Sequence, residues 1–270
     1  MKLLSIVGAR PQLIKTAMIS RAIRMHNRNT SNKSIQQIIL HTGQHYDDNM
    51  SQMFINQLDI PQPDYNLAIS GLNHGAMTGR MLEGIEAVIQ TEQPDCVVVY
   101  GDTNSTLAGA LAGAKLHVPV AHVEAGLRSQ NLEMPEELNR IITDRISTIL
   151  ICPSQIAVNN LRKEGFPFSA PSKFQQTIIN LGDVMLDATL HYRTIAHQRF
   201  SLESWNVDES SYALCTLHRA ENTNNTMRLK GILSALREIA TKVTVLLPLH
   251  PRTRKQIMKL AGQNWLAGFR

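Results

Sequence analysis

Cysteine is scarce in this chain, and the three present, Cys96, Cys152 and Cys215, each lie in or at the end of an apolar run. An odd, scattered set builds no disulfide framework and reads as reduced core residues of a cytoplasmic protein. No apolar stretch is long enough to span a membrane. The opening MKLLSIVGARPQ has only the outline of a signal peptide, because its apolar run is short and leads straight into a GARP turn. Internal repeats and low-complexity tracts are absent. Neither a P-loop nor a GxGxxG fingerprint occurs, so neither ATP nor NAD is favoured. His41 and His45 have no neighbouring cysteine and no HExxH context, so no metal is expected. The net charge of +5 is spread along the chain. It suits an anionic ligand and is too diffuse to argue for nucleic acid.

What is present is a soluble, core-forming composition, 43% hydrophobic and 18% charged over 270 residues. Short β-rich apolar runs alternate with longer helical patterns. Strands are predicted at Leu3–Val7, Ile35–His41, Cys96–Tyr100, Val118–Val123 and Thr148–Cys152. Helices are predicted at Pro11–Arg24, from Asp47 or Asp48 to Leu58, and at His74–Gln90, Ser105–Leu116 and Glu136–Ser147. Ser154 is placed to cap another. Met77 and Met81 form a stripe that reads as core. Continuous apolar runs such as CVVVY are those of strands buried on both faces. The alternation therefore predicts an α/β fold with a parallel sheet covered by helices.

This first unit is expected to span 1–165. The Pro/Ser/Phe-rich stretch Glu164–Gln175 is the best linker, and a second unit is expected over 176–270. Its predicted strands are Thr177–Leu181, Tyr212–Leu217 and Val243–Leu249, and its helices Val184–His197, Met227–Ala240 and Thr253–Leu260. A free-standing doubly wound domain takes roughly 100–150 residues, so the second unit is expected to be incomplete.

Polar clusters follow the predicted strands directly. Arg10 follows the first, His41, Gln44 and His45 the second, Asp102 the third, and Glu124 the fourth. Asp183, then His218, Arg219 and Glu221, then His250 and Arg252 continue the pattern. In open parallel sheets ligands bind at the carboxyl ends of the strands, so this bias marks one working face. The GARP turn lets backbone approach a phosphate at a helix N-terminus, with Arg10 as a second contact. Its ordinary alternative is a plain tight turn. Asp102, Glu124 and Glu136 offer paired carboxylates for proton transfer, whose mutual repulsion would part their pKa values into an acid and a base. The bland alternatives are a helix N-cap for Asp102 and a first-turn helix charge for Glu136. A glutamate beside a buried strand, as Glu124 is, needs a partner. His218 in TLHRAEN is a candidate general acid or phosphate donor, although a lone histidine after a strand is more often structural. The stretch LPLHPRTRK (247–255) offers a histidine and three cations at a helix start.

Taken together, GARPQLIK (8–15), HTGQHYDDNMS (41–51), GDTNSTLAGALA (101–112), HVEAGLRS (122–129), MPEELNR (134–140), GDVMLDA (182–188), TLHRAEN (216–222) and PLHPRTR (248–254) resemble the non-hydrolysing UDP-N-acetylglucosamine 2-epimerases over essentially the whole chain. The resemblance implies a GT-B-like architecture of two Rossmann-like domains. It implies inversion at C2 between UDP-N-acetylglucosamine and UDP-N-acetylmannosamine, by elimination of UDP to a glycal and re-addition. It implies a UDP-sugar as partner, a homodimer, and no redox or metal cofactor. Asp102, Glu124 and Glu136 match the family's acid/base carboxylates, and His218 a histidine that assists departure of UDP. Arg10, Lys15 and His250 match nucleotide or phosphate contacts. Gln44 and His45 match a region where some members bind a second, activating substrate molecule. Arg140, Arg219 and Glu221 complete the expected substrate-binding set.

Two departures stand out. Gln12 occupies a position where many members have glutamate, and with the neighbouring motifs it resembles a subgroup acting on modified sugars such as UDP-2,3-diacetamido uronic acids. The chain also lacks the family's later serine-glycine-glycine-glutamine-glutamate segment and final helix, so weak or absent turnover is expected of this polypeptide alone. Two other functions stay open. A GT-B glycosyltransferase shares fold and donor. A nucleotide-sugar-binding or partner protein without turnover is favoured by the missing end and disfavoured by the carboxylate set.

Overall fold

Leu4, Ile6, Val97, Val99 and Leu150 are wholly buried, and each sits in a strand whose alternate residues face opposite layers. These strands belong to one sheet in a computed structural model that describes residues 1–30, 34–44, 57–168, 175–205, 207, 211–249 and 251–261. The expected helix beginning at Asp47 or Asp48 falls largely outside those residues. The strands are β1 (Lys2–Val7), β2 (Gln36–His41), β3 (Tyr65–Asn66), β4 (Cys96–Tyr100), β5 (Val120–Val123), β6 (Ile149–Cys152) and β7 (Thr177–Asn180). They form a seven-stranded sheet in the order β3-β2-β1-β4-β5-β6-β7, parallel throughout. The order reverses between β1 and β4, and the crevice at that switch point is where doubly wound sheets hold ligands.

Helices cover both faces. Leu4, Ile6, Val97 and Val99 pack with Met81 and Ile85 of α2 (His74–Glu92) and Ala108 and Ala112 of α3 (Asn104–Lys115). The methionine stripe is therefore core. Val7, Ile39, Val98 and Tyr100 pack with Leu13 and Ala17 of α1 (Arg10–Asn29) on the other face. The remaining helices of this part are α4 (Pro135–Ile146), α5 (Gln155–Lys163) and α6 (Val184–Arg199). Ser154 caps α5 as predicted, its hydroxyl accepting from Ala157 N at 3.3 Å.

The boundary between units differs from the expected one. The chain divides into Met1–Tyr192 and Arg193–Arg270. The strand Thr177–Asn180, assigned from sequence to the second unit, hydrogen-bonds in register beside Ile149–Cys152 and completes the first sheet. A Pro/Ser-rich stretch signals a break in regular structure, not the end of a sheet. In the second unit, β8 (Tyr212–Leu214) pairs in parallel with β9 (Thr244–Leu246). A 3-10 turn (Leu202–Trp205) and a short helix α7 (Ala220–Thr223) were not foreseen. Helix α8 (Thr226–Ala240), capped by Asn225, buries Leu229, Leu233 and Leu236 against Leu217, Leu247 and Ile257, the last on α9 (Pro251–Ala261).

Beneath the turn after β5 lies a buried polar network. His122 and Asp144 are both fully buried. His122 Nδ1 lies 2.7 Å from Asp144 Oδ1, and its Nε2 lies 2.7 Å from the Gly101 carbonyl oxygen. Asp144 Oδ2 accepts from Gly126 N at 3.1 Å and Arg128 Nη1 at 2.7 Å. Arg128 then forks onto Glu164, at 2.7 and 2.8 Å. Burial is the largest influence on the Asp144 carboxyl and pushes its pKa up, but His122 and Arg128 outweigh it and hold the group below the usual range.

Two expectations follow from this packing. Gly126 has φ +79°, and a Cβ there would stand 2.5 Å from the Ala157 carbonyl oxygen. Gly126→Ala should lower stability by about 2–4 kcal/mol, read from urea unfolding. Because folding depresses the Asp144 pKa, its contribution is complete above about pH 4, the unfolded value, and is lost as pH falls through the folded one. Urea midpoints measured between neutral and acidic pH should drop on that limb, and Asp144→Asn should flatten the drop.

Candidate active site

Three turns at the carboxyl edge of the sheet approach one another so closely that side chains must mediate between them. Gly8, after β1, has no room for a Cβ, which would overlap the hydroxyls of Ser105 and Thr42. Gln12, on the first turn of α1 and 1% exposed, fills the space behind it. Its Oε1 accepts from Gly8 N at 2.8 Å and Ala9 N at 3.0 Å. Its Nε2 donates to the Tyr100 carbonyl at 2.8 Å and to the hydroxyls of Thr103 and Thr106. One amide thus ties the β1 turn to the β4 turn, a task that requires an acceptor and a donor on the same group. A glutamate here would set a second oxygen against the Tyr100 carbonyl. Gln44 ties the β2 turn to the same place through its oxygen, Oε1 accepting from Ser105 N at 3.1 Å and Ser105 Oγ at 2.7 Å.

Asp102 follows β4. It is not the cap of α3, because Thr103 takes that place and accepts from Thr106 N. The Asp102 carboxylate is ion-paired with Arg140 of α4, and its backbone carbonyl accepts from Asn139 Nδ2 at 3.0 Å. Arg140 also donates through Nη1 to Glu137 at 2.7 Å. Glu137 is buried and accepts from the backbone N–H groups of Ser129 and Gln130. Burial is the largest influence on it and pushes its pKa up, but those N–H groups and Arg140 together leave it below the usual carboxylate range. Glu137 therefore stays charged and orients the arginine that holds Asp102.

Glu124 follows β5 at φ +79°. Its N–H and that of Ala125 both donate to the Ile151 carbonyl at 3.0 Å, which forces the sharp turn. The partner that a glutamate beside a buried strand needs is Lys15, whose Nζ forms an ion pair with Glu124 Oε2. Lys15, expected as a phosphate contact, is buried in this pair. The two carboxylates thus lie on turns of adjacent strands, each with its own cation. This differs from the expected carboxylate–carboxylate pairing. Beside Glu124 a cavity of about 190 Å³ is lined by Val123, Ile151, Leu181, Asp183 and Asp187, among others. That is smaller than the ~300–1,000 Å³ of sites that take whole ligands, and fits part of one.

Glu136 is exposed on the first turn of α4. Arg10 is exposed at the start of α1. In the second unit, His218, Arg219 and Glu221 are exposed between β8 and α8. His45 and His250 lie outside the described residues. Sequence reasoning passed over Glu137, Asn139 and the His122–Asp144 pair. The signal for Glu137 was available: it precedes Arg140 by three residues, which places the two on one helix face. Among the described residues no three His, Cys, Asp or Glu side chains gather as metal ligands.

Residues 27–267 match the family described as UDP-N-acetylglucosamine 2-epimerase. The chain is similar to the UDP-2,3-diacetamido-2,3-dideoxy-D-glucuronate 2-epimerase of Pseudomonas aeruginosa, 53% identical over 261 residues, covering 96% of this chain and 70% of that protein. It is similar also to the UDP-N-acetylglucosamine 2-epimerase of Methanocaldococcus jannaschii, 44% identical over 262 residues, covering 95% of this chain and 68% of that one. The crystal structure of a Methanocaldococcus jannaschii UDP-GlcNAc 2-epimerase in complex with UDP-GlcNAc and UDP superposes with a TM-score of 0.80 at 43% identity, covering 99% of this chain and 71% of that chain. A parallel sheet with its charged turns on one edge, matched in sequence and in shape by these enzymes, has one conclusion: the chain belongs to the UDP-N-acetylglucosamine 2-epimerase family, and its fold is the α/β, GT-B-like fold of that family.

Proposed function

We propose that the chain inverts C2 of a UDP-2-acetamido sugar, interconverting UDP-N-acetylglucosamine and UDP-N-acetylmannosamine. The observation that carries this is the placement of Asp102 and Glu124 on neighbouring turns of the sheet, each held by a separate cation. A C2 proton is weakly acidic, so its removal needs a positioned carboxylate together with stabilisation of the departing group. A carboxylate takes the proton, the C2–H electron pair becomes the C1=C2 bond, and the C1–O bond breaks with its electrons leaving on UDP. The glycal is then protonated at C2 from the other face as UDP returns to C1. The sequence balances without oxidant or reductant.

In this reading Asp102, Glu124 and Glu136 are the acid/base carboxylates. Arg140 holds and aims Asp102. Lys15, itself buried, pairs with the partly buried carboxylate of Glu124 and fixes its direction. His218 assists departure of UDP, and Arg10 and Arg219 contact its phosphates.

A second substrate reading, a UDP-2,3-diacetamido uronic acid, is favoured by the 53% identity to the Pseudomonas aeruginosa enzyme named for such a sugar. Gln12 does not decide between the two, because both ends of its amide are occupied by the protein's own turns.

Proton NMR of the 270-residue chain in D₂O, with each of the two sugars in turn, tests the proposal. Slow appearance of deuterium at C2 of at least one is expected, and the faster one identifies the preferred sugar. A folded protein that binds UDP yet exchanges C2 of neither would sink the reading. Asp102→Asn and Glu124→Gln should each slow C2 exchange by about 10²–10⁴-fold, with UDP affinity measured by calorimetry little changed.

A further inference from the structure

We propose that His122 is a positioning residue: with Asp144 it clamps the turn that carries Asp102 to the turn that carries Glu124. The kinetic part of this inference rests on the C2 chemistry proposed above; the structural part does not.

His122 lies on β5, two residues before Glu124, with a fully buried side chain. Its Nε2 stands 2.7 Å from the Gly101 carbonyl oxygen. That carbonyl belongs to the planar peptide whose nitrogen is that of Asp102, so fixing the oxygen fixes the plane from which Asp102 starts. The preceding N–H of Gly101 donates to the Val123 carbonyl at 3.0 Å. The Gly101 residue is thus held at both its N–H and its C=O by β5.

Asp144 Oδ1 faces His122 Nδ1, and Asp144 Oδ2 gathers Gly126 N and Arg128 Nη1. One carboxylate therefore ties together residues 122, 126 and 128, on both sides of Glu124. The pairs Lys15–Glu124 and Arg140–Asp102 do not link these two turns to each other. His122, beside the Gly101 N–H bond to Val123, makes that link. Core stability gives little reason for the arrangement, since a buried set of polar side chains stabilises about as much as well-packed apolar residues in its place. Geometry gives one, since a displacement of about 1 Å at a reacting group costs on the order of 10²-fold in rate.

The test uses the difference in reach between two amides. The Gln side-chain nitrogen falls near the imidazole Nε2, and that of Asn near Nδ1. His122→Gln can still donate to the Gly101 carbonyl, whereas His122→Asn cannot. Hydrogen exchange of the whole chain, read residue by residue, should show the Gly101 and Thr103 amides exchanging at least ~10-fold faster in His122→Asn, with β1 and β2 unaffected. In His122→Gln the change should stay under ~3-fold. C2 exchange should fall by about 10–100-fold in kcat for His122→Asn with KM within about threefold, and recover in His122→Gln. Unchanged protection of the turn in His122→Asn, or identical behaviour of the two variants, overturns the proposal. Should His122→Asn fail to fold, ¹⁵N spectra of the wild-type histidines decide. A hydrogen-bonded Nε2–H on His122 supports the clamp, and a bare Nε2 overturns it. A wild-type chain without C2 exchange would remove the proposed reaction, and the amide protection would still settle the role of His122.

Discussion

All seven strands of the main sheet run the same way, and everything else in the first unit answers to that constraint. Parallel strands deliver their following turns to a single edge, and the reversal of order between β1 and β4 crowds the β1, β2 and β4 turns together. Backbone groups there have left the sheet ladder and must find other partners in a space with little water. Gln12 and Gln44 supply them, and the hydroxyls of Thr42 and Ser105 bond each other in the same space. Side-chain amides suit the task because each offers acceptor and donor at once. Only when the crowded edge is satisfied in this way does a charged residue on one of its turns have a fixed position.

The charges are then placed at some energetic cost. Lys15 and Glu124 meet partly out of water, as do Arg140, Glu137 and Asp102. Each ion pays a desolvation penalty that its partner only partly returns. The return is definiteness: a carboxylate held by its own cation has one orientation.

Much of this was legible in the sequence, for identifiable reasons. The run CVVVY has no polar residue in it, so a strand buried on both faces was the natural reading, and Asp102 fell at its end as expected. The methionines of α2 repeat with helical period and are core. The unit boundary misled because strand β7 is short and only half buried. It carries no local sign that its partner is Ile149–Cys152 and not a strand still to come. Lys15 was read as a ligand for phosphate since nothing in GARPQLIK shows that Glu124, more than a hundred residues later, will stand beside it. His122 and Asp144 went unmarked because each looks ordinary alone, and only the fold shows that they are a pair.

Helix α4 holds both sides of this arrangement. Asn139 and Arg140 reach Asp102, while Asp144, one turn further on, reaches His122 and through it the turn of Glu124. Errors in placing the two acids are therefore correlated. A small drift or rotation of this one helix carries both carboxylates along and leaves their separation nearly constant. The site is better protected against changes in the distance between its acids than against changes in where the pair sits on the sheet.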